Sequence, residues 1–158
     1  MKKFAILTLV LLFLVAFAAC GGTTKSTQLG TSDFSIVLPD GYVSTEDDFD
    51  EDQVAYFYKD DNSLDFDVYQ WEKGTEYTLE SEANYFAAEY NTTAEAVTVN
   101  GINGYKYVSL EDFEGNTYTV VNYMFEDDTY IIEISFWTID TEAEYTVVND
   151  IINTLEKN

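Results

Sequence analysis

Apolar and polar residues alternate along much of this chain with the period of a β-strand, and at two places the spacing lengthens to that of a helix. Leu64, Phe66 and Val68 fall on one side of the run Leu64–Trp71, and Asp65 and Asp67 on the other, the pattern of a half-buried antiparallel strand. Val54–Lys59 reads as its neighbour across Asp60-Asp61-Asn62-Ser63. A shorter strand, Phe34–Leu38, is stopped by Pro39-Asp40-Gly41. At Thr78 the period changes. A hydroxyl that can cap is followed by Glu80 and Glu82, and Leu79, Ala83, Phe86, Ala87 and Tyr90 make one apolar stripe that ends at Asn91-Thr92. Four strands come next. Glu95–Val99 meets Gly104–Leu110 across Asn100-Gly101-Ile102-Asn103, where Asn-Gly is a tight-turn pair. Thr117–Phe125 and Thr129–Trp137 flank Glu126-Asp127-Asp128. In the last strand Tyr130, Ile132, Ile134 and Phe136 form a wholly apolar face, and Thr129, Ile131, Glu133, Ser135 and Trp137 a mixed one, which predicts a central strand with one face in the core. Thr141-Glu142-Ala143-Glu144 is a capping box opening a C-terminal helix, buried through Val147, Val148, Ile151, Ile152 and Leu155, with Lys157 complementing the negative end of its dipole. The expected class is α+β: an antiparallel sheet of about six or seven strands with two main helices packed on it.

The first 32 residues follow neither period. Met1-Lys2-Lys3 precede an apolar run from Phe4 to Val15 and the small residues Ala16, Ala18 and Ala19, which together read as a secretory signal peptide. Phe17-Ala18-Ala19-Cys20-Gly21 resembles a bacterial lipobox, with Phe17 where leucine is usual. The resemblance implies that residues 1–19 are removed and that Cys20 is acylated, becoming the anchor to the bilayer. Two or three acyl chains hold durably where one does not. The alternatives are an uncleaved anchor, which the run of roughly 16 residues is too short to favour against the ~20 that span a bilayer, and a structural cysteine, which the two following glycines leave nothing to pack against. Residues 20–32 then read as lipidated Cys20 and a flexible tether spanning about 20 Å, and residues 33–158 as one domain. That places the folded part on the extracytoplasmic face of a cell membrane.

Charge narrows the functional classes. All 30 acids follow the cleavage site, against five remaining lysines and no arginine. Such a field repels nucleic acid and anionic head groups, and favours a cationic envelope partner or a divalent ion. A hydrophobic content of 46% argues against a disordered chain of this charge. The chain has no histidine, which removes Ser-His-Asp and Cys-His catalysis and every histidine-ligated metal site. It carries no phosphate-binding glycine loop. No catalytic residue is assigned, and a carboxylate-dependent hydrolase is the third-ranked reading. The acidic loop offers Asp48, Asp50 and Asp52, alternating oxygen ligands of a kind that suits Ca²⁺. It is not an EF-hand, because Gln53 and Lys59 stand at the sixth and twelfth positions from Asp48. A solvated acidic loop is the default reading, and no other cofactor is expected. Tyr69 and Trp71 share a strand face and Trp137 lies on a mixed one, so an uncovered sheet face would turn them into a platform for stacking sugars. Core packing beneath the helices is the favoured reading of the same rings.

The segment Phe34-Ser35-Ile36-Val37-Leu38-Pro39-Asp40-Gly41-Tyr42, the mid-chain helix opened by Thr78-Leu79-Glu80, the strand and turn Val97–Tyr105, and the final helix ending Ile151–Leu155 resemble the PsbP/Mog1-like family. The resemblance covers nearly the whole of residues 33–158 and rests on structural motifs. It implies a central antiparallel sheet flanked by helices and a non-enzymatic binding or accessory role. Plant members of the family assist photosystem II and fungal members bind a small GTPase, but none of their partner-binding residues maps to a position here. The expected function is therefore that of a membrane-anchored lipoprotein with a binding or accessory role at the cell envelope. The runner-up is a ligand-binding module for Ca²⁺ or glycans.

Overall fold

A computed structural model describes residues 26–45, 51–59, 64–138 and 141–158. Cys20, Asp48 and Asp50 lie outside the described residues. The elements run β1 (Ser26–Gln28), β2 (Phe34–Val37), β3 (Val43–Thr45), β4 (Gln53–Tyr58), β5 (Asp65–Glu72), α1 (Leu79–Glu89), β6 (Glu95–Val99), β7 (Ile102–Phe113), β8 (Asn116–Glu126), β9 (Tyr130–Thr138), α2 (Glu142–Ile152) and β10 (Glu156–Lys157). A seven-stranded sheet of order β3-β4-β5-β9-β8-β7-β6 forms the body of the molecule, and β1-β2-β10 form a second, three-stranded sheet. Every strand pair in both is antiparallel. The fold class is α+β, with one helix on each face of the large sheet. On one face α2 presents Val148, Ile151 and Ile152 to Phe66, Ile134 and Phe136. On the other, α1 presents Leu79, Ala83 and Ala87 to Tyr107, Met124 and Ile131.

Local chemistry accounts for the element ends. Thr78 caps α1, its hydroxyl accepting from the Ser81 amide at 3.1 Å while the Ser81 hydroxyl accepts from the Thr78 amide at 2.9 Å. Thr141 and Glu144 make the same reciprocal pair at α2, at 3.2 and 3.0 Å. The β6–β7 connection is only two residues, Asn100 and Gly101, both with positive φ of 49° and 81°. Strand β7 accordingly begins at Ile102, two residues earlier than the alternation indicated. At Gly104 a Cβ would sit 2.5 Å from the Met124 carbonyl oxygen, so the backbones of β7 and β8 approach closely there.

Five expectations are corrected. Residues 26–32 are not tether: Ser26–Gln28 pair with β2, and Leu29 and Ser32 are fully buried. Leu29, buried in one core cluster with Phe34 and Ile36, and the pairing with β2 tie this polar segment to the fold. The segment Phe34–Val37 lies in the small sheet, and Val43–Thr45 takes the edge of the large one. Strand β9 is central, fourth of seven, but most of its mixed face is buried too: Ile131 packs with α1, Glu133 and Ser135 are buried at the floor of a cleft, and Trp137 is half-buried. Asp67, expected in water, is only 7% exposed. Finally, α2 ends at Ile152. Leu155 is buried beyond the helix, and Lys157 lies in β10 with its Nζ 5.7 Å from the centre of the Phe34 ring, so the last turn of α2 carries no base.

Candidate functional site

Antiparallel register lines up side chains across the α1 face in rows. Tyr107, Asn122, Ser135, Asp67 and Tyr56 are successive cross-strand partners from β7 to β4. Beside them run Tyr105, Met124, Glu133, Tyr69 and Gln53. Helix α1 covers only part of these rows. The remainder is a cleft of about 490 Å³, walled by Phe86 of α1 and by Tyr90 at its C-terminal cap, and floored by Tyr69, Trp71, Tyr107, Glu133 and Trp137 of the sheet. Asp52, Glu82 and Glu111 stand around it, and Asn122 and Ser135 add neutral polar groups. A second hollow of about 470 Å³ shares Tyr69 and Trp137 and continues to Tyr56, Asp65, Asp67, Phe113 and Tyr118.

The rings are held in place. Trp71 packs on Phe86 with centroids 5.6 Å apart, and Tyr90 stacks on Tyr107 at 6.4 Å. The Trp137 indole N–H donates to Asp67 Oδ2 at 2.7 Å, and Gln53 Nε2 donates to Oδ1 of the same carboxylate at 2.5 Å. Phe113 and Tyr118 meet the Trp137 ring edge-on at 6.4 and 5.8 Å. Asp52 is brought to the rim by its carbonyl, which accepts from the Gln70 amide of β5 at 2.8 Å.

Negative groups crowd the inner wall. Glu133 is 7% exposed, and the Tyr107 hydroxyl donates to its Oε1. Burial pushes the Glu133 carboxyl up to about 7. The Tyr107 bond works against that rise and the Glu111 charge adds to it. Tyr107 is raised far above the usual phenol range, first by burial and then by the Glu133 charge. Tyr90 is raised by burial, followed by the charges of Glu111 and Glu133. Glu111 Oε1 accepts from the Ser109 hydroxyl at 3.1 Å, and Ser109 Oγ in turn accepts from Asn122 Nδ2 at 3.2 Å.

Of the residues singled out in the sequence, Tyr69, Trp71 and Trp137 come together around this cleft, all of them half-buried. Neither of the two readings describes them fully, since each packs on its neighbours and also lines open space. Asp52 stands at the rim; Asp48 and Asp50 lie outside the described residues. Among the described residues no group of three or more acids or thiols is placed to hold a metal ion. Sequence reasoning did not single out Tyr90, Glu111 or Glu133 as site residues, while Tyr107, which shares a strand face with Tyr105, belongs with the rings read as a stacking platform. Glu133 left a legible trace, a charge at the middle of a strand otherwise fit for the core.

No family model matches this chain, and no curated protein matches its sequence. Solved structures do. Cyanobacterial PsbP (CyanoP) from Synechocystis superposes with a TM-score of 0.63 at 15% identity, over 88% of this chain and 97% of that one. The fold is PsbP-like. LpqN of Mycobacterium tuberculosis, described as involved in cell envelope biogenesis, shares the PsbP-like architecture with a TM-score of 0.59 at 11% identity, covering 86% of both chains. A Bacteroides thetaiotaomicron protein gives 0.60 at 20% identity over 83% of this chain, which spans 49% of that protein's length. At these identities the likeness is one of PsbP-like fold alone. Among the described residues no helix is long and apolar enough to cross a membrane.

Proposed function

We propose that this chain is an extracytoplasmic lipoprotein, anchored through acylated Cys20, that binds a ligand or partner at the cell envelope in the α1-side cleft and carries out no chemistry of its own. The observation that carries the binding role is the cleft itself, where six aromatic rings and a buried carboxyl are fixed by packing around open space. Residues 1–19 are the signal that is removed, and residues 21–25 are what is left of the tether once Ser26 joins the fold. The short reach holds the acidic domain against the membrane surface. The envelope role described for LpqN, which has the same fold, agrees with that address.

A second reading is favoured by one specific feature, the shared exposure of Tyr69, Trp71 and Trp137: the ligand is a glycan stacked on those rings. Two measurements test the proposal. Palmitate labelling and membrane fractionation of wild type against Cys20→Ala should show loss of both label and membrane association in the variant; identical behaviour overturns the anchor. Trp71 and Trp137 are the chain's two tryptophans and both line the cleft, so intrinsic fluorescence reports on its occupancy. A saturable change on adding glycan fragments, Ca²⁺ or a low-molecular-weight envelope extract supports binding, and a spectrum indifferent to all three overturns it.

A further inference from the structure

The charges and rings of the cleft select a ligand chemistry. Its lining holds the carboxylates of Asp52, Glu82, Glu111 and Glu133 and no lysine. Three of the chain's lysines are seen paired elsewhere among the described residues. Lys73 pairs with Glu126 at 3.0 Å, Lys106 lies 5.5 Å from the Tyr123 ring centre, and Lys157 lies over Phe34. With no arginine in the sequence, no basic side chain lines the cleft among the described residues to offset these acids. The same walls carry Trp71, Phe86, Tyr90 and Tyr107, and aromatic faces attract cations through their quadrupoles. Each competing class lacks one of these matches. An anion meets the carboxylates of Asp52, Glu82 and Glu111. A neutral sugar uses the rings but gains nothing from the acids of Asp52, Glu82 and Glu111 around them. A bare metal ion uses carboxylates that converge, which the described residues do not offer, and has no need of rings.

We propose that the cleft binds a small organic cation, an ammonium group received among Trp71, Phe86, Tyr90 and Tyr107 with the Glu133 carboxylate beneath it; this rests on the binding role above and names its ligand class. A volume of about 490 Å³ accommodates such a head group together with an apolar or hydroxylated body. Glu133 has to give up its proton to meet the cation. The titratable groups that share the cleft with it are Tyr107 and Glu111 from β7, Tyr69 from β5, Glu82 from α1, Tyr90 at the C-terminal cap of α1 and Asp52 before β4, and none of them can supply the positive charge itself.

The test uses the full lipidated chain in non-ionic detergent, titrated by intrinsic fluorescence with choline and with its uncharged tert-butyl analogue. The expected result is a saturable response to choline, about tenfold or more weaker for the analogue, and tightening between pH 6 and pH 8 as Glu133 ionises. Glu133→Gln should weaken choline about tenfold and remove the pH dependence. Circular dichroism monitors the fold of this variant, which removes a buried charge and keeps an acceptor for Tyr107. Equal responses to choline and its analogue overturn the cationic class while leaving the cleft a binding site. Silence toward choline also overturns it, and the broader binding role falls only if the envelope extract is silent as well. Unchanged choline affinity in a folded Glu133→Gln protein overturns the role given to Glu133.

Discussion

The two faces of the large sheet are made by the same strands and have opposite characters. On the α2 face, Phe57, Phe66 and Phe136 stack in a line with centroids 4.7 and 4.9 Å apart, closed by Ile132, Ile134 and the helix residues Val148, Ile151 and Ile152. On the α1 face the alternate residues of those strands are Tyr56, Asp67, Glu133 and Ser135, and much of their surface is equally removed from water. Side chains alternate across a strand, so neighbouring positions can serve cohesion and recognition separately. The first face gains from every methylene it buries. The second keeps polar groups in place with a few hydrogen bonds, and pays for them in stability. A buried face rich in polar atoms is thus a better pointer to function here than the acidic surface, which is charged nearly everywhere.

The largest expected effect lies on the α2 face. Phe66→Ala should cost about 3–5 kcal/mol, read as a lowered urea midpoint, because Phe66 is fully buried between two other rings. A loss under about 1 kcal/mol would break the contrast by showing that this face is not the cohesive one. Glu133→Gln should move the other way. The Glu133 pKa is raised from 4.5 to about 7 on folding, so its favourable term is full below pH 4.5 and is lost as pH rises through 7. At pH 8 the variant should therefore be more stable than wild type by up to about 3 kcal/mol, with the advantage vanishing near pH 4. A variant equally destabilised at both pH values would mean that Glu133 serves packing alone.

Asp67→Ala should cost roughly 1–2 kcal/mol, since Gln53 and the Trp137 indole both lose their acceptor. The same change should shift tryptophan emission, because the Trp137 ring is no longer fixed; an unaltered spectrum would show that packing by Phe113 and Tyr118 suffices. The smallest effect belongs to Leu110, 70% exposed near the end of β7. Leu110→Ser should stay within about 0.5 kcal/mol in thermal or urea unfolding. A larger loss would extend the cohesive face beyond the cover of α2.

Much of the fold was legible because the relevant signals are local. Thr78 and Thr141 announce helix starts through short-range hydrogen bonds, Asn100-Gly101 announces a turn through positive φ, and the alternation in Leu64–Val68 and Tyr130–Phe136 announces strands. Long-range pairing was not legible. Nothing local in Ser26–Gln28 distinguishes a strand from a tether, and its order comes from β2 and the burial of Leu29. The candidate site divides similarly. Tyr69, Trp71, Tyr107 and Trp137 stood out by residue type, whereas Tyr90 joined them only once α1 was laid over β7.

By itself the sequence determined the class of architecture, the helix caps, the tight β6–β7 turn and the excess of negative charge, all of which depend on neighbours a few residues away or on composition. Only the tertiary structure decided that Asp67 and Glu133 are buried, that Asp52 and Trp71 line one cleft, and that one sheet face stays partly open. Those outcomes depend on where an eleven-residue helix comes to rest on seven strands, and that position is set by contacts between residues far apart in the chain.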